Sequence, residues 1–239
     1  NLPIDRAEAT PTFSTKHPQL GCAKEVEKYL VKNGIECHTT IEDAKIMGCV
    51  AEAQVIATTY SPSLIDIISE TNLVSNNLFA ENLLKTIGKE ITGVGSYDSA
   101  RVAVNRFFES QGLSLVGYTQ DDGSGLSREN YVSPRFFTKY YQMMMKSDTF
   151  AEYLESFPQP GEDRGTLKRV LKDEPTEVKE RIYAKSGSLS CVKCYAGYVI
   201  SAQGPIRFAI LVNNGTTSKM QSQIEGFMKE LSVYAGKKK

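Results

Sequence analysis

The fold is decided by residues 181–214, which read RIYAKSGSLSCVKCYAGYVISAQGPIRFAILVNN. Three segments of this stretch, residues 181–186, 195–201 and 207–213, contain β-branched and aromatic side chains in a pattern that predicts three strands. Residues 202–205, AQGP, have the composition of a tight turn, so the last two strands should form a hairpin. The stretch predicts a small sheet close to the C-terminal end of the chain.

Amphipathic helices are predicted on both sides of this sheet. Apolar residues recur at helical spacing in six further segments. These are residues 21–33, 64–70, 77–87, 98–110, 133–146 and 221–234. Residues 53–59 are β-rich, residues 71–76 are predicted to be a short polar break, and Gly88 is expected to end the third helix. Helices, then a strand meander, then a terminal helix predict an α+β fold in which helices cover an antiparallel sheet.

The composition excludes several classes of protein. Lys+Arg and Asp+Glu number 28 each, so no net positive field would attract the chain to nucleic acid or to anionic lipid. No apolar run reaches the roughly 18 residues of a membrane span. The five cysteines lack the density of a disulfide framework, and Cys191 and Cys194 have no second ligand pair at zinc spacing. We therefore predict a globular domain with no cofactor, no metal and no nucleic-acid partner.

Three short polar motifs lie between or beside the predicted elements. Residues 75–77, SNN, separate two helices, residues 123–125, GSG, lie in a polar loop, and residues 185–187, KSG, follow a strand. Each motif alone has an ordinary structural interpretation as a helix cap, a flexible loop or a turn. The loop also lacks the third glycine and the Gly-Lys-Ser/Thr ending of a phosphate-binding loop, so nucleotide binding is not predicted.

In their order along the chain, the motifs resemble those of the D-alanyl-D-alanine carboxypeptidase/endopeptidase family, penicillin-binding proteins whose catalytic domain contains inserted domains. The similarity extends from about Leu20 to Ala235. It is carried by TNLVSNNLFAE at 71–81, DGSGLSR at 122–128, PGEDRGTL at 160–167, AKSGSLS at 184–190, AGYV at 196–199 and ILVNN at 210–214. The resemblance implies a fold like that of penicillin-binding proteins and serine β-lactamases.

The resemblance assigns catalytic roles to three residues. Ser75 would relay protons towards the leaving nitrogen of a peptide that ends in D-Ala-D-Ala. Asn77 would hold the catalytic lysine and the substrate amide. Lys185 would place a cation where the substrate carboxylate and the developing charge lie.

Three further residues are implied in substrate binding. The hydroxyl of Ser186 would donate to the substrate carboxylate, although the family more often has threonine here, whose methyl group restricts the rotamer. Gly187 would allow the substrate to approach and add as an extra strand. Ser188 would contribute a backbone N–H to the oxyanion hole.

The nucleophile is where the chain departs from the family pattern. Family members carry a Ser-x-x-Lys motif that opens a helix, so that both side chains share one face. The one such spacing in this chain is Ser190 to Lys193, in strand-patterned sequence where residues three apart point to opposite faces. We interpret it as a coincidence. We expect the nucleophile helix and two N-terminal strands upstream of Asn1, which makes the catalytic fold incomplete.

This interpretation divides the chain into two parts. Residues 1–18 contain three prolines and no periodicity, and are predicted to be a linker or the tail of an upstream inserted domain. Residues 19–239 are predicted to be the C-terminal part of the catalytic domain. The missing strands would leave an apolar edge around residues 207–213, which predicts self-association.

The predicted function is a peptidoglycan-processing serine peptidase that cleaves D-Ala-D-Ala peptides through an acyl-serine intermediate, with this chain inactive alone. The expected ligands are peptidoglycan stem peptides ending in D-Ala-D-Ala and β-lactams. The resemblance implies a periplasmic or other extracytoplasmic location, although the chain contains no signal-peptide pattern.

Three alternatives remain open at this point. A cell-wall-binding pseudoenzyme would keep the fold and use the Lys185 strand to hold D-Ala-D-Ala ends. A relative of the serine β-lactamases would need a base for its deacylating water, and we find no acidic motif to assign to it. In an unrelated α/β scaffold, every motif would be a cap or a turn.

Overall fold

The computed structural model describes residues 18–38, 54–55 and 58–237. It divides into two compact units, residues 1–60 and 61–239. In the first unit, helix α1 (Pro18–Lys32) corresponds to the predicted helix 21–33. The predicted linker lies outside the described residues except for Pro18, and the described residues of the predicted β-rich segment 53–59 form no strand.

The second unit, as far as residue 237, contains seven helices and five strands. The helices are α2 (Leu64–Val74), α3 (Asn77–Thr92), α4 (Tyr97–Ser110), α5 (Pro134–Met144), α6 (Phe150–Glu155), α7 (Thr176–Lys179) and α8 (Thr217–Gly236). The strands are β1 (Tyr118–Thr119), β2 (Tyr131–Val132), β3 (Ile182–Leu189), β4 (Val192–Ser201) and β5 (Gly204–Asn213). None of the helices described in the chain is long and apolar enough to cross a membrane.

Strands β3, β4 and β5 form an antiparallel sheet in this order. Strand β4 lies in the centre and pairs on both edges, and its residues 195–199 are buried on both faces of the sheet. One face packs against α8, with a core formed by Ile182, Tyr195, Val199, Phe208, Ile224 and Met228. The other face contacts α5 and α6, with a core that includes Tyr141, Phe157, Ala196 and Tyr198. Burying each large side chain contributes about 1.5–3 kcal/mol. The predicted α+β fold, an antiparallel sheet covered by helices, is confirmed.

Two predicted helix boundaries are wrong. Helix α2 continues through residues 71–74, so the polar break between α2 and α3 consists of Ser75 and Asn76 alone. Gly88 lies inside α3, which ends at Gly93 with φ 83°. Gly88 is instead the point where α4 crosses, because a Cβ there would lie 2.8 Å from the backbone nitrogen of Ala100. A glycine that allows close helix packing has the same appearance in sequence as one that ends a helix.

The short elements were not predicted from the sequence. Strands β1 and β2 have two residues each, and α7 has four. Segments this short contain too few residues to show a period. Contacts with other elements stabilise them. In β1, for example, the ring of Tyr118 stacks on the ring of Phe136 in α5, with centroids 4.3 Å apart.

The crossing of α3 and α4 predicts opposite effects for two glycine substitutions. Gly88→Ala should lower the free energy of unfolding by about 1–3 kcal/mol, because the new methyl group would overlap the backbone of α4. At Gly226, in α8, nothing lies within 4 Å of the added Cβ, so Gly226→Ala should raise the free energy of unfolding by about 0.5–1 kcal/mol. Urea denaturation midpoints test both. Equal effects of the two substitutions would contradict the packing role of Gly88.

Candidate active site

The break between α2 and α3 holds Ser75 in an unusual backbone conformation. Ser75 follows α2 and has φ 59° and ψ 53°, in the left-handed region. A residue other than glycine rarely adopts this region, at a cost of about 1–3 kcal/mol. The conformation is held because the backbone N–H groups of Ser75 and Asn76 both donate to the carbonyl oxygen of Thr71. The end of α2 therefore determines where Ser75 lies.

The next two residues begin α3. The side chain of Asn76 caps the helix by accepting a hydrogen bond from the backbone N–H of Phe79 at 3.1 Å. Asn77 is the first helical residue, and its side chain is exposed. The interpretation of the 75–77 motif as a helix cap therefore holds for Asn76. The neighbouring residues Ser75 and Asn77 are exposed and do not cap the helix with their side chains.

Lys185, in the middle of β3, contacts Ser75. Its Nζ donates to Ser75 Oγ at 2.9 Å and to the carbonyl oxygen of Ser186 at 2.7 Å. Ser75 and Lys185 are 110 residues apart in sequence. The structure thus brings together two of the three predicted catalytic residues, one from the helices and one from the sheet.

Burial lowers the pKa of Lys185 to about 8. Within the part of the chain that the structure describes, both hydrogen-bond partners of its Nζ are neutral oxygens, and no carboxylate there offsets the loss of hydration of the ammonium group. At neutral pH the group is mainly cationic, and it can lose its proton at little cost. A cation without a counter-ion can receive an anionic group of a ligand.

The predicted binding residues follow Lys185 on β3. Gly187 and Ser188 are exposed, and β3 pairs with β4 on one side only within the described residues. On its other edge the N–H of Ala184 donates to the carbonyl oxygen of Pro158 at 3.1 Å, so an added strand could pair only with the part of this edge that follows Ala184. Ser186 lies opposite Tyr195, whose hydroxyl bonds Gln221 of α8. Opposite residues share a face of the sheet, so the Ser186 side chain starts on the α8 face and the Lys185 side chain on the other.

The end of α2 is supported by residues 160–167, the PGEDRGTL segment. The backbone N–H of Thr166 donates to the carbonyl oxygen of Leu73 at 2.9 Å, two residues before Ser75. One guanidinium nitrogen of Arg164 lies 2.7 and 2.6 Å from the two carboxylate oxygens of Glu70, also in α2. These contacts fix the helix end that displays Ser75.

The start of α3 is supported by residues 121–127, which we call the 121–127 loop. The carboxylate of Asp122 accepts hydrogen bonds from the backbone of Gly125 and Ser127 and from Asn130, at 2.7–2.8 Å. Burial alone would raise the pKa of Asp122, but these bonds outweigh it and lower the pKa. An aspartate before Gly-Ser-Gly is a turn signal that sequence analysis could have used.

Glu81 attaches this loop to α3. Its two carboxylate oxygens accept the backbone N–H groups of Gly123 and Ser124 at 3.1 and 3.0 Å. Burial alone would raise the pKa of Glu81, but hydrogen bonds from Ser124, Gly123 and Tyr97 outweigh it and lower the pKa. No sequence pattern indicates this contact, because its partners are more than 40 residues away.

The Ser-x-x-Lys spacing at 190–193 lies in the hairpin that joins β3 to β4. Ser190 lies in the turn, and its Oγ is 3.9 Å from the Sγ of Cys191. Lys193 lies on β4 with its Nζ 6.0 Å from the centre of the Tyr195 ring. The two side chains therefore have different neighbours, in keeping with our interpretation of this spacing as a coincidence.

An apolar cavity of about 520 Å³ lies elsewhere in the second unit. It is lined by residues of α2 to α5 and includes Leu84, Phe108 and Phe136, but no charged side chain and none of the predicted site residues. We place the candidate site at the Ser75–Lys185 contact, because that contact combines a half-buried cation, a hydroxyl group and an edge strand of the sheet.

Known proteins match the chain over most of its length. A profile of the family described as D-Ala-D-Ala carboxypeptidase 3 (S13) matches residues 1–233. A D-alanyl-D-alanine carboxypeptidase of an Actinomadura species is 29% identical over 241 residues, covering 99% of this chain and 44% of that protein. D-alanyl-D-alanine carboxypeptidase DacB of Haemophilus influenzae is 25% identical over 214 residues, which cover 89% of this chain and 44% of that protein. The chain thus spans less than half the length of these relatives.

Solved structures show the same fold. Penicillin-binding protein 4 of Haemophilus influenzae, complexed with a β-lactam, has a TM-score of 0.78 at 23% identity. The match covers 93% of this chain and 52% of the chain in that structure. A β-lactamase from Sphaerobacter thermophilus has a TM-score of 0.52 at 16% identity, covering 72% and 62%. The predicted similarity to penicillin-binding proteins and serine β-lactamases is confirmed at the level of the fold.

The environment of Lys185 predicts an unusual titration. We expect its side-chain amine to titrate with a midpoint near pH 8, because burial disfavours the ammonium form. Since this folded-state pKa is below the unfolded value of 10.5, the contribution of Lys185 to the free energy of unfolding should rise as the pH increases from 8 to 10.5. NMR of ¹³C-labelled lysine measures the midpoint, and Lys185→Met identifies the signal. A midpoint near 10.4, typical of free lysine, would contradict the prediction.

Proposed function

The chain belongs to the D-Ala-D-Ala carboxypeptidase 3 (S13) family, and we propose that the protein carrying it is a serine-type peptidase that cleaves D-Ala-D-Ala peptides of peptidoglycan. The observation that carries this proposal is the 2.9 Å hydrogen bond between Lys185 Nζ and Ser75 Oγ. It joins the two motifs that the family resemblance singles out. The proposed ligands are stem peptides that end in D-Ala-D-Ala, and β-lactams.

In the proposed reaction, the oxygen of a serine hydroxyl attacks the carbonyl carbon of the penultimate D-Ala, and the proton that the hydroxyl loses balances the one that the leaving nitrogen gains. The C–N bond to the terminal D-Ala breaks, and water then hydrolyses the acyl-serine ester. The leaving nitrogen needs a proton, and the hydroxyl of Ser75 can pass one on, since it is hydrogen-bonded to Lys185. The lowered pKa of Lys185 makes that proton transfer less costly.

The same lysine would hold the substrate. A peptide that adds along the open edge of β3 would bring its terminal carboxylate towards the Lys185 ammonium group, whose present partners are neutral. The exposed positions Gly187 and Ser188 leave room for this added strand. In this proposal Ser186 donates its hydroxyl to the carboxylate, Ser188 its backbone N–H to the oxyanion, and Asn77 its side-chain amide to the substrate.

We also propose that residues 1–239 alone do not form the acyl-enzyme. The support is that the one Ser-x-x-Lys spacing lies in a hairpin turn and strand, with Lys193 beside Tyr195 rather than beside Ser190. The nucleophile would then belong to another part of the whole protein. The proposed location is periplasmic or otherwise extracytoplasmic, where peptidoglycan is found.

Covalent labelling tests the proposed function. The complete reading frame that encodes this chain, incubated with a penicillin, should gain the mass of one ring-opened penicillin on a serine outside residues 1–239. Intact and peptide mass spectrometry locate the adduct. The same treatment of residues 1–239 should give none. A folded, complete protein that forms no adduct would contradict the proposal and favour a wall-binding pseudoenzyme.

The role of the Lys185–Ser75 pair has a separate test. In the complete protein, Ser75→Ala and Lys185→Met should each slow acylation by roughly 100-fold or more, because each removes a group that acts in the transition state. Lys193→Met is the matched control and should leave the rate unchanged. The rates are measured with a fluorescent penicillin. A loss in Lys193→Met equal to that in Lys185→Met would show that the residues of the 190–193 spacing take part.

Self-association is a further proposal for this chain. Strand β5 pairs with β4 on one side only within the described residues, and it carries partly buried apolar side chains such as Ile206 and Ile210. Unpaired backbone groups beside apolar residues favour pairing with a second strand. Sedimentation velocity of residues 1–239 should give a dimer that dissociates on dilution, and a monomer at every concentration would overturn the idea.

A further inference from the structure

The 121–127 loop behaves as one hydrogen-bonded body. Besides the bonds to Asp122, the Asn130 side chain accepts the backbone N–H of Asp121 at 2.8 Å and donates to the carbonyl oxygen of Ser127 at 3.0 Å. The Ser124 hydroxyl bonds Asp122 as well, at 3.2 Å. A loop with this many internal bonds moves as a unit, so its position depends on where it is attached.

Its attachment to α3 is made by one side chain. Glu81 accepts two consecutive backbone N–H groups, those of Gly123 and Ser124, with one carboxylate oxygen each. Hydrogen bonds to an ionised acceptor are roughly twice as strong as those between neutral groups. The two bonds fix both the distance of the loop from the helix and its rotation, which a single bond would not do.

The loop also packs directly on the first turns of α3. A Cβ at Gly123 would overlap the carbonyl group of Ala80 and lie 3.1 Å from the Cα of Glu81. Only glycine therefore allows the backbone of the loop to touch the helix here. Asn77 is four residues before Glu81, so both side chains lie on the same face of α3. The loop is therefore attached to α3 about one helical turn after Asn77.

We propose that Glu81 is a positioning residue for the reaction: its carboxylate holds the 121–127 loop against α3 and thereby sets where the loop lies relative to Asn77. This inference rests on the proposed function. In this proposal Glu81 does not touch the reacting atoms and acts only through the loop, which it attaches about one helical turn from the exposed Asn77.

The test uses Glu81→Gln in the complete protein. A glutamine has one acceptor oxygen, and its NH₂ group would face a backbone N–H, so one bond is lost and the loop is released. Acylation by a saturating fluorescent penicillin should fall about tenfold, measured well below the unfolding temperature. Hydrogen exchange at the amides of Gly123 and Ser124 should become faster. Glu90→Gln, an exposed position on the same helix, is the matched control and should change neither quantity.

A second variant tests whether Glu81 acts through the contact between the loop and α3. Gly123→Ala pushes the loop from Ala80 without altering the carboxylate, so it should slow acylation by a similar factor. Combined with Glu81→Gln, it should add little, because both substitutions break the same contact. Independent, multiplying effects would overturn the proposal, since they would place the two residues in separate roles.

The outcomes separate this inference from the proposed function. If the unsubstituted protein is acylated and Glu81→Gln reacts at the same rate, the positioning role is wrong and the function stands. If exchange at Gly123 and Ser124 is unchanged in Glu81→Gln, the carboxylate does not hold the loop and the proposal is overturned. If the unsubstituted protein does not react at all, the proposed function and this inference both fail.

Discussion

The hydrogen bond between Lys185 and Ser75 is the contact on which the candidate site depends. It joins the centre of β3 to the break between α2 and α3, so it is made only when sheet and helices are packed together. Its lysine is half-buried and has no carboxylate partner among the described residues, and burial lowers its pKa to about 8. A partly desolvated cation of this kind is typical of functional sites.

The rest of the second unit holds the two partners in place. On the α2 side, Thr166 bonds the helix end and Arg164 pairs with Glu70. On the α3 side, Glu81 and the 121–127 loop fix the first turns. The left-handed backbone of Ser75 is maintained between these supports, and strain of this kind persists only where the surroundings determine the conformation. A site built this way is sensitive to substitutions that touch neither Ser75 nor Lys185.

The sequence was most informative where a pattern repeats over many residues. The three strands of the sheet and the helices corresponding to α4, α5 and α8 were identified from periodicity, with boundaries a few residues away. Single residues were less reliable. Gly88 has the pattern of a helix end, yet it lies at a helix crossing, because sequence does not reveal what a glycine is close to.

By itself, the sequence determined the α+β class and the order of the motifs, since these depend on local pattern, and the resemblance of that order to a known family implied SNN and KSG as candidate site residues. Tertiary structure alone decided the contact between residues 110 apart, the pKa of Lys185 and the attachment of a loop by Glu81. The physical reason is that hydration, charge and hydrogen bonding at a site are set by neighbours in space. Those neighbours come from distant segments that share no local period.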